Sequence, residues 1–463
     1  MKNLFTLLTA VLLPAGMLFA QNNVATQTVV GDRNNIDATQ VGNSNISTQT
    51  TKGFDNRATV DQDGYMNVAV QVQGAGWSDE NDATATQMGE ENNVIQTQYY
   101  DGNNATSVQK GNENTVIQTQ ISSDSKLDNS GNDANAYQKG NENTATQLQG
   151  ENSGVNRTQF LSGNVADIQQ VGDENTSLQT QFGANNEATG TQNGMRNDLV
   201  QDQGVGWAEF NIATSKQSGD DNSVNQKQRY DGNSAYANQI GNGNIVIQDQ
   251  SSSDTHGLGL FENTANSLQI GDYNLADISQ VGDNHAGTVQ FGDDNMAYVV
   301  QDGSSYAVSI QEGDNNYTKI TQTGVANLAL ATSIGDYNIV NVGQEGNFNK
   351  SATDIFGSRN TVDIDQVGNH NFSGDFSGPG VYVLGNDNTV GLDQFGDYNT
   401  SYQEVIGDWN TVTTMQDGFS NTSTQIIFGN SNTADVKQYG FGNTATQTVT
   451  GNSNTTVISQ FGL

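Results

Sequence analysis

The segment "NTADVKQYGFGNTATQTVTGNSNTTVISQFGL", residues 432–463, shows the plan on which the chain is built. An Asn stands at every eleventh position, at Asn432, Asn443 and Asn454, and a Gly stands three residues before each of them. Gly and Asn tolerate the left-handed backbone that tight turns need. Each G-x-x-N string therefore predicts a turn, and the same Asn spacing is already present at Asn23.

The residues between these turns predict strands. In residues 432–438, NTADVKQ, the Asn, Ala, Val and Gln occupy alternate positions, and Thr, Asp and Lys occupy the positions between them. Alternation with a period of two is typical of a strand with two different faces. We expect the small, apolar and amide side chains to point inward and the charged side chains to point outward.

A longer period of 22 residues lies above the period of eleven. Gln precedes every second turn, as at Gln394, Gln416 and Gln438, whereas the turn between carries an apolar residue such as Ile427. Two alternating classes of turn predict a rung of two strands and two turns. The predicted fold class is therefore all-β: a flattened β-solenoid with about 11 residues per strand-turn unit and about 22 per rung, stacked as amyloid-like cross-β.

Stacked rungs would place Asn over Asn and Gln over Gln. A side-chain amide carries both donors and an acceptor, so a ladder of amides satisfies its own hydrogen bonds. A buried amide without its neighbour would cost about 1–3 kcal/mol, which makes these residues structural rather than catalytic. The predicted ladder residues are Gln40, Asn45, Gln62, Asn67, Gln87, Asn92, Gln109, Asn114, Gln138, Asn143, Gln344, Asn349, Gln366, Asn371, Gln394, Asn399, Gln416, Asn421, Gln438 and Asn443.

The first twenty residues predict a secretory signal peptide, because Lys2 is followed by an apolar run that ends at Ala20. Residues 21–463 are then expected to form a single repeat solenoid. Interruptions of the period predict six insertions. The first five fall at turns without the Gln, so we expect them on one edge of the solenoid. On that edge, Trp77 and Trp207 would cover the solenoid or contact carbohydrate. The sixth cannot be assigned to an edge. The insertions lie near residues 74–80, 121–131, 150–160, 204–210, 251–262 and 373–385.

Composition limits the possible partners. The formal net charge is −35, so nucleic acid and anionic membrane surfaces, which bind basic patches, are not expected as partners. The chain has no Cys, and therefore no disulfide and no cysteine-linked lipid. High charge with low hydrophobicity is typical of disorder, but the regular order of the residues overrules that interpretation. We do not expect an integral membrane protein.

The sequence predicts neither a catalytic site nor a metal site. His256, His285 and His370 lack metal-ligand spacing, and no acid, base and nucleophile converge, so the protein is not expected to be an enzyme or to need a cofactor. One alternative stays open for the G-D-x-N turns. Stacked carboxylates there would either bind Ca²⁺ or form a solvated acidic edge. Those carboxylates are Asp272, Asp336, Asp397 and Asp408.

The repeat pattern runs from Asn23 to Gln460 without a segment that resembles a polar cap. Repeat proteins that stay monomeric need such caps, and exposed strand edges pair with other chains. We therefore expect the chain to assemble end to end with copies of itself.

The string Q-x-G-x-x-N-x-A resembles the curlin repeat of curli subunits, the amyloid proteins of bacterial biofilms. It stands here as "QKGNENTA" (138–145), "QYGFGNTA" (438–445) and, with variation, "QIGDYNLA" (269–276). Nineteen stretches fit the shorter string Q-x-G-x-x-N. One match would be weak evidence, whereas nineteen in register are a specific signal.

The resemblance implies a secreted, extracellular structural subunit that polymerises into amyloid-like fibres of the biofilm matrix. It also implies an outer-membrane export pore and a nucleator subunit as partners. The alternative is a monomeric surface β-solenoid adhesin that binds carbohydrate or a cell surface through the inserted loops. Deletion of those loops would abolish binding by an adhesin and leave fibre formation intact.

Overall fold

A computed structural model describes residues 22–74, 78–122, 131–150, 163–204, 208–252, 262–374 and 380–462. All regular structure in these ranges is β-strand, and none of it is helix. The prediction of an all-β fold is therefore confirmed. The predicted signal peptide lies outside the described residues, and no helix within them is long and apolar enough to cross a membrane.

The chain divides into two compact units, which meet in sequence at Asn233 and Ser234. A single solenoid over residues 21–463 stays a prediction. The described strands of the first unit are β1 (Val24–Val30), β2 (Asn35–Asn43), β3 (Ile46–Lys52), β4 (Arg57–Tyr65), β5 (Val68–Gln73), β6 (Asp82–Glu90), β7 (Asn93–Tyr99), β8 (Asn104–Lys110), β9 (Thr115–Ile121), β10 (Asp133–Lys139), β11 (Thr144–Gln149), β12 (Val165–Val171), β13 (Thr176–Gln181), β14 (Glu187–Asn193), β15 (Asp198–Gln203), β16 (Ile212–Ser218) and β17 (Ser223–Arg229).

The second unit is built in the same way. Its described strands are β18 (Ser234–Ile240), β19 (Ile245–Ser251), β20 (Thr264–Ile270), β21 (Leu275–Gly282), β22 (His285–Phe291), β23 (Met296–Glu312), β24 (Tyr317–Ile334), β25 (Ile339–Glu345), β26 (Lys350–Phe356), β27 (Thr361–Val367), β28 (Phe372–Ser373), β29 (Val381–Leu384), β30 (Thr389–Asp397), β31 (Thr400–Ile406), β32 (Thr411–Phe419), β33 (Thr422–Phe428), β34 (Thr433–Phe441), β35 (Thr444–Thr450) and β36 (Thr455–Phe461).

In the first unit, each strand pairs in parallel with the next strand but one. The odd-numbered strands form one sheet, which we call the β1 sheet, and the even-numbered strands form the β2 sheet. Equivalent residues of successive rungs stand opposite one another, as Gln27 does to Gln49 and Gln40 does to Gln62. Two strands make one rung, so the predicted two-strand solenoid is confirmed.

The second unit also has two parallel sheets, which we name the β36 sheet and the β35 sheet after their last described strands. The long strands β23 and β24 run through a turn and give one segment to each sheet. In β23, Gln301 pairs with Gln280 of β21, and Gln311 pairs with Gln290 of β22. The β36 sheet then continues through β25, β27, β30, β32 and β34, and the β35 sheet through β26, β28 with β29, β31 and β33.

The core is a single layer between the two sheets of each unit. In β32, Val412, Thr414 and Gln416 are buried, and the residues between them face outward. The apolar residues of the core are mostly Ala, Val and Ile, and the Asn and Gln of the turns and strands are buried beside them. Because side chains alternate between faces along a strand, the alternating sequence fixes which residues enter this layer.

The turns are tight because the rungs stack closely. Gly407 has a φ of 129°, and a Cβ atom there would lie 2.1 Å from the carbonyl oxygen of Gly429 in the next rung. Only glycine fits such a position. The third residue of the same turn, Trp409, is left-handed with a φ of 56° and keeps its side chain exposed.

The predicted insertions begin at definite places. In the first unit, four of them follow β5, β9, β11 and β15, which all belong to the β1 sheet, so they leave from the same edge. Trp77 and Trp207 lie outside the described residues. In the second unit, one insertion follows β19, and residues 374–380 separate β28 from β29. Since β28 and β29 both pair with β26 and β31, this last insertion interrupts a strand rather than a turn.

Candidate assembly surface

The Asn residues of the turns form continuous hydrogen-bonded ladders. Oδ1 of Asn67 accepts the backbone N–H of Asn92 at 3.0 Å and its side-chain amide at 2.9 Å. Nδ2 of Asn67 donates to the carbonyl of Gly89 in the next rung at 2.8 Å. Each Asn thus binds the rungs on both sides of its own, and its oxygen always accepts from the rung that follows in sequence.

Gln residues before the turns form a second kind of ladder, with the opposite direction of donation. Nε2 of Gln62 donates to Oε1 of Gln87 in the following rung at 2.7 Å. The same nitrogen donates to the carbonyl of Ile46 in the other sheet at 3.1 Å. Each Gln therefore connects successive rungs and also joins the two sheets across the core.

The structure places all twenty predicted residues in ladders of these two kinds. In the first unit, hydrogen bonds join Gln40, Gln62, Gln87, Gln109 and Gln138 in one row, and Asn45, Asn67, Asn92, Asn114 and Asn143 in another. In the second unit, they join Gln344, Gln366, Gln394, Gln416 and Gln438, and likewise Asn349, Asn371, Asn399, Asn421 and Asn443.

Sequence reasoning missed a third kind of ladder, which lies in the middle of the strands. In the β1 sheet, Nε2 of Gln71 donates to Oε1 of Gln96 at 2.8 Å, and Gln96 donates to Gln118 at 2.8 Å. The sequence did contain a signal for it. Gln96 and Gln98 are two residues apart, so they share the inward face.

Gln98 stands in the position before the turn, where it accepts from Gln73 at 2.9 Å and donates to Gln120 at 2.9 Å. The insertions after β5 and β9 thus follow Gln73 and Gln120, so the prediction that these turns lack the Gln is wrong, although the insertions do share one edge.

The Gln columns change position within the second unit. In the β35 sheet, the Gln before the turn is present at Gln290 and Gln311, and Ile355 and Val449 occupy that position farther along. Mid-strand Gln then appears in this sheet as Gln403, Gln425 and Gln447, joined at 3.0 and 2.8 Å. In the β36 sheet, the Gln before the turn continues to Gln460. Between residues 269 and 322 both sheets carry this Gln, which explains why the sequence pattern loses its alternation there.

The acidic turns form a row of their own. Asp272 and Asp336 lie in one row of the second unit together with Asp293 and Asp314, and Oδ1 of each accepts a backbone N–H from the preceding rung. Asp408 does the same for Asn386 and Asp397 for Asn369. Within the described ranges, no three His, Cys, Asp or Glu side chains are grouped so as to hold a metal ion. Calcium binding stays a prediction.

Two of the three His residues lie against aromatic rings. The ring of His370 stacks between Phe348, at 4.9 Å, and Tyr398, at 4.7 Å between ring centroids. His285 lies 6.4 Å from Tyr306. His256 falls outside the described residues. His370 is therefore part of a stacked turn row, whereas His285 begins strand β22 and its ring is tilted by 44° against that of Tyr306 in the paired strand.

Charges on the outward faces are paired in some rungs and crowded in others. Arg359 forms two hydrogen bonds of 2.7 Å with Asp387 of the next rung, and this bonding lowers the pKa of the Asp387 carboxyl. Burial raises the pKa of Asp393, and the carboxylates of Asp365 and Asp363 raise it further. Repulsion between these stacked carboxylates thus opposes the stacking of rungs that the amide ladders stabilise.

The described rungs at either extreme have open edges. Among the described strands, β1 pairs only with β3 and β2 only with β4, and likewise β35 pairs only with β33 and β36 only with β34. No described strand lies on their other edges, so the backbone N–H and C=O groups there and the last amides of each ladder lack a next rung. We call these open edges the assembly surface.

The comparisons with known proteins point to one family. No curated protein matches the chain. Six segments match the family model described as the curlin associated repeat, namely residues 31–64, 271–303, 313–346, 357–396, 407–440 and 429–462. One match lies in the first unit and five lie in the second, and the matched segments contain ladder residues such as Gln40, Asn45, Gln416 and Asn421. The resemblance seen in the sequence is thereby confirmed: the chain carries curlin associated repeats in both of its units.

Proposed function

We propose that this protein is a secreted structural subunit that polymerises end to end into amyloid-like, curli-type fibres of an extracellular biofilm matrix. The observation that carries the proposal is the one-to-one register between successive rungs. Each strand pairs along its length with a near-equivalent strand of the same chain, as in β32 and β34, where Gln416 stands opposite Gln438. A rung of a second copy offers the same groups to the assembly surface.

The family match supports the same role. The curlin repeat is a structural repeat rather than the mark of a known enzyme family. On this proposal the main partner is the protein itself, and an export pore and a nucleator subunit are the further partners that the family suggests. The fibre is held by backbone and amide hydrogen bonds, so it needs no catalytic residue and no cofactor.

Assembly can be tested with the purified chain from residue 21 onward. After a day at neutral pH we expect sedimenting filaments in electron micrographs, with a meridional reflection at about 4.7–4.8 Å in fibre diffraction. Sheared filaments added as seeds should shorten the lag. Chains that stay monomeric in sedimentation, with or without seeds, would contradict the proposal.

The matched control is a variant that lacks residues 123–130 and 253–261, which lie in two insertions outside the described strands. It keeps all described strands of both units, so its filaments should form as readily as those of the unaltered chain. Loss of filaments in this variant would mean that the inserted segments, and not the rung edges, hold the copies together.

A further inference from the structure

We infer that, in the fibre, strands β1 and β2 of one copy stack on β35 and β36 of its neighbour, respectively, with residue n beside residue n+420. This inference rests on the proposed function, and it specifies which strands meet and in which register. The two rungs lie in different units, so each is compared here by its own sequence and hydrogen bonds.

The inward side chains of the two rungs match strand by strand. Residues 23–31 read NVATQTVVG and residues 443–451 read NTATQTVTG, and they differ only at two outward positions. Gln27 would lie beside Gln447, and Val29 beside Val449. In the second strand of the rung, Gln40 would lie beside Gln460.

The crossed arrangement fits poorly. If β1 stacked on β36 instead, Gln27 would lie beside Ile458, and Val29 beside Gln460. The other strand pair would place Gln40 beside Val449. Each of these contacts puts an amide against an apolar side chain and leaves its hydrogen bonds unmade, which is unfavourable in a buried layer.

The direction of hydrogen bonding is complementary as well. In every Gln ladder, Nε2 donates toward the following rung, as from Gln425 to Gln447 at 2.8 Å. Nε2 of Gln447 is buried and has no partner among the described residues. Gln27 donates to Gln49 at 2.9 Å, and no described residue donates to its own Oε1. A neighbouring copy would therefore join the orphan donor of one end to the open acceptor of the other.

The Asn ladders meet in the same way. Nδ2 of Asn443 donates to Oδ1 of Asn421 at 2.9 Å, so Oδ1 of Asn443 is the acceptor that faces the next copy. In that copy, Asn23 stands at the matching position, and its backbone N–H and side-chain amide are the donors that interior Asn residues use. Donors and acceptors thus alternate correctly across the junction for both amide types.

The match between the two rungs depends on the change that the Gln positions undergo in the β35 sheet, from the position before the turn to the middle of the strand. At Gln27 and Gln40, mid-strand Gln lies in the strand that begins the rung and pre-turn Gln in the strand that ends it. The last described rung keeps that order, with Gln447 in β35 and Gln460 in β36. Without the change, β35 would carry its Gln before the turn, as β22 does at Gln290, and that amide would lie beside Val29 of the next copy. The ladders would then stop at every junction.

Disulfide trapping tests the register, because the chain contains no Cys of its own. Thr28 and Thr448 face outward and would be neighbours across the junction. Adjacent strands lie about 4.8 Å apart, within the Cα separation that a disulfide spans. The variant with Thr28→Cys and Thr448→Cys should form fibres that, once oxidised and dissolved without reductant, run as a ladder of covalent multimers.

Two controls keep the outcomes separate. The crossed variant, Thr28→Cys with Ser459→Cys, should form fibres but stay monomeric on the same gel. The variant Thr424→Cys with Thr446→Cys joins neighbours within one chain, and its intramolecular disulfide shows that oxidation reaches such pairs. Fibres in which the crossed pair links the copies, or in which neither pair does, would overturn the inferred register alone. Absence of fibres from the unaltered chain would overturn the proposed function and the junction together.

Discussion

Gln416 is fully buried, yet it is not isolated from partners. It accepts a hydrogen bond from Gln394 at 2.8 Å and donates one to Gln438 at 2.9 Å. A hydrocarbon at this position would pack well but would leave both neighbouring amides with an unmade bond. The ladder therefore stabilises the core only while its rungs are chemically alike.

Replacing Gln416→Leu tests this dependence. We expect the free energy of unfolding of the second unit to fall by about 2 kcal/mol or more, because each orphaned amide costs about 1–3 kcal/mol. Thermal or denaturant unfolding of the soluble chain measures the change. The control, Thr411→Leu, alters an exposed residue of the same strand and should shift stability little. Equal effects of the two substitutions would contradict the role given to the ladder.

The crowded carboxylates predict a pH dependence. The pKa of Asp393 is raised in the fold, so its ionised form destabilises the native state above that pKa. Asp393→Asn should therefore raise the melting temperature at pH 7, and the gain should disappear as the pH falls toward about 4, the ordinary Asp pKa.

Asp387→Asn is the opposing control, because Arg359 lowers the pKa of that carboxyl. Its ionised form stabilises the fold above the ordinary pKa, and this contribution is lost as the pH falls through the lowered value. The substitution should therefore lower the melting temperature at pH 7. Melting curves in which both variants shift in the same direction would be inconsistent with these pKa directions.

At the scale of the single element, the turn depends on its glycine. Gly418 has a φ of 136°, and a Cβ there would lie 2.0 Å from the carbonyl oxygen of Gly440. Gly418→Ala should destabilise the second unit by more than about 4 kcal/mol, since backbone must move in two rungs. Gly442→Ala is the matched control, because its φ is 65° and nothing lies within 4 Å of the added atom. It should cost about 1–2 kcal/mol, and similar losses for both in circular dichroism melts would refute the close-stacking argument.

The elements themselves could be predicted from the sequence. Period-two alternation between G-x-x-N turns gave strands such as β34, and the 22-residue spacing gave the two-strand rung. The mid-strand ladder of Gln96 was missed, because its signal, the two-residue spacing to Gln98, places both amides on the inward face without showing which residues lie beside them. The last insertion could not be assigned either, since it splits a strand into β28 and β29 instead of extending a turn.

At the scale of the whole molecule, charge opposes assembly. Each copy carries a formal net charge of −35, so two copies repel one another as they approach. Raising the salt concentration from about 0.02 to 0.2 M shortens the screening length several-fold and should speed seeded elongation. Thioflavin or light-scattering assays would measure the rate. An elongation rate that falls or stays constant with added salt would mean that specific ion pairs, rather than stacked neutral amides, join the copies.

The assembly surface was only partly predictable. The sequence repeats indicated that a rung of a second copy resembles the next rung of the same chain. The repeat string with its Gln is present at positions as far apart as Gln40 and Gln438. The direction of donation along the ladders, and the buried unpaired Nε2 of Gln447, depend on side-chain rotamers that no sequence period encodes. The structure adds this polarity, which distinguishes the open edge of β1 from the open edge of β35.

Cryo-electron microscopy of the filaments tests the central claim most directly, namely that rung stacking continues from one copy into the next. The predicted result is a helical reconstruction with an unbroken spacing of about 4.8 Å across the junction, and with β1 of one copy seated on β35 of its neighbour. Filaments whose copies meet side by side, or whose outermost rung is covered by a folded segment of the same chain, would contradict the account.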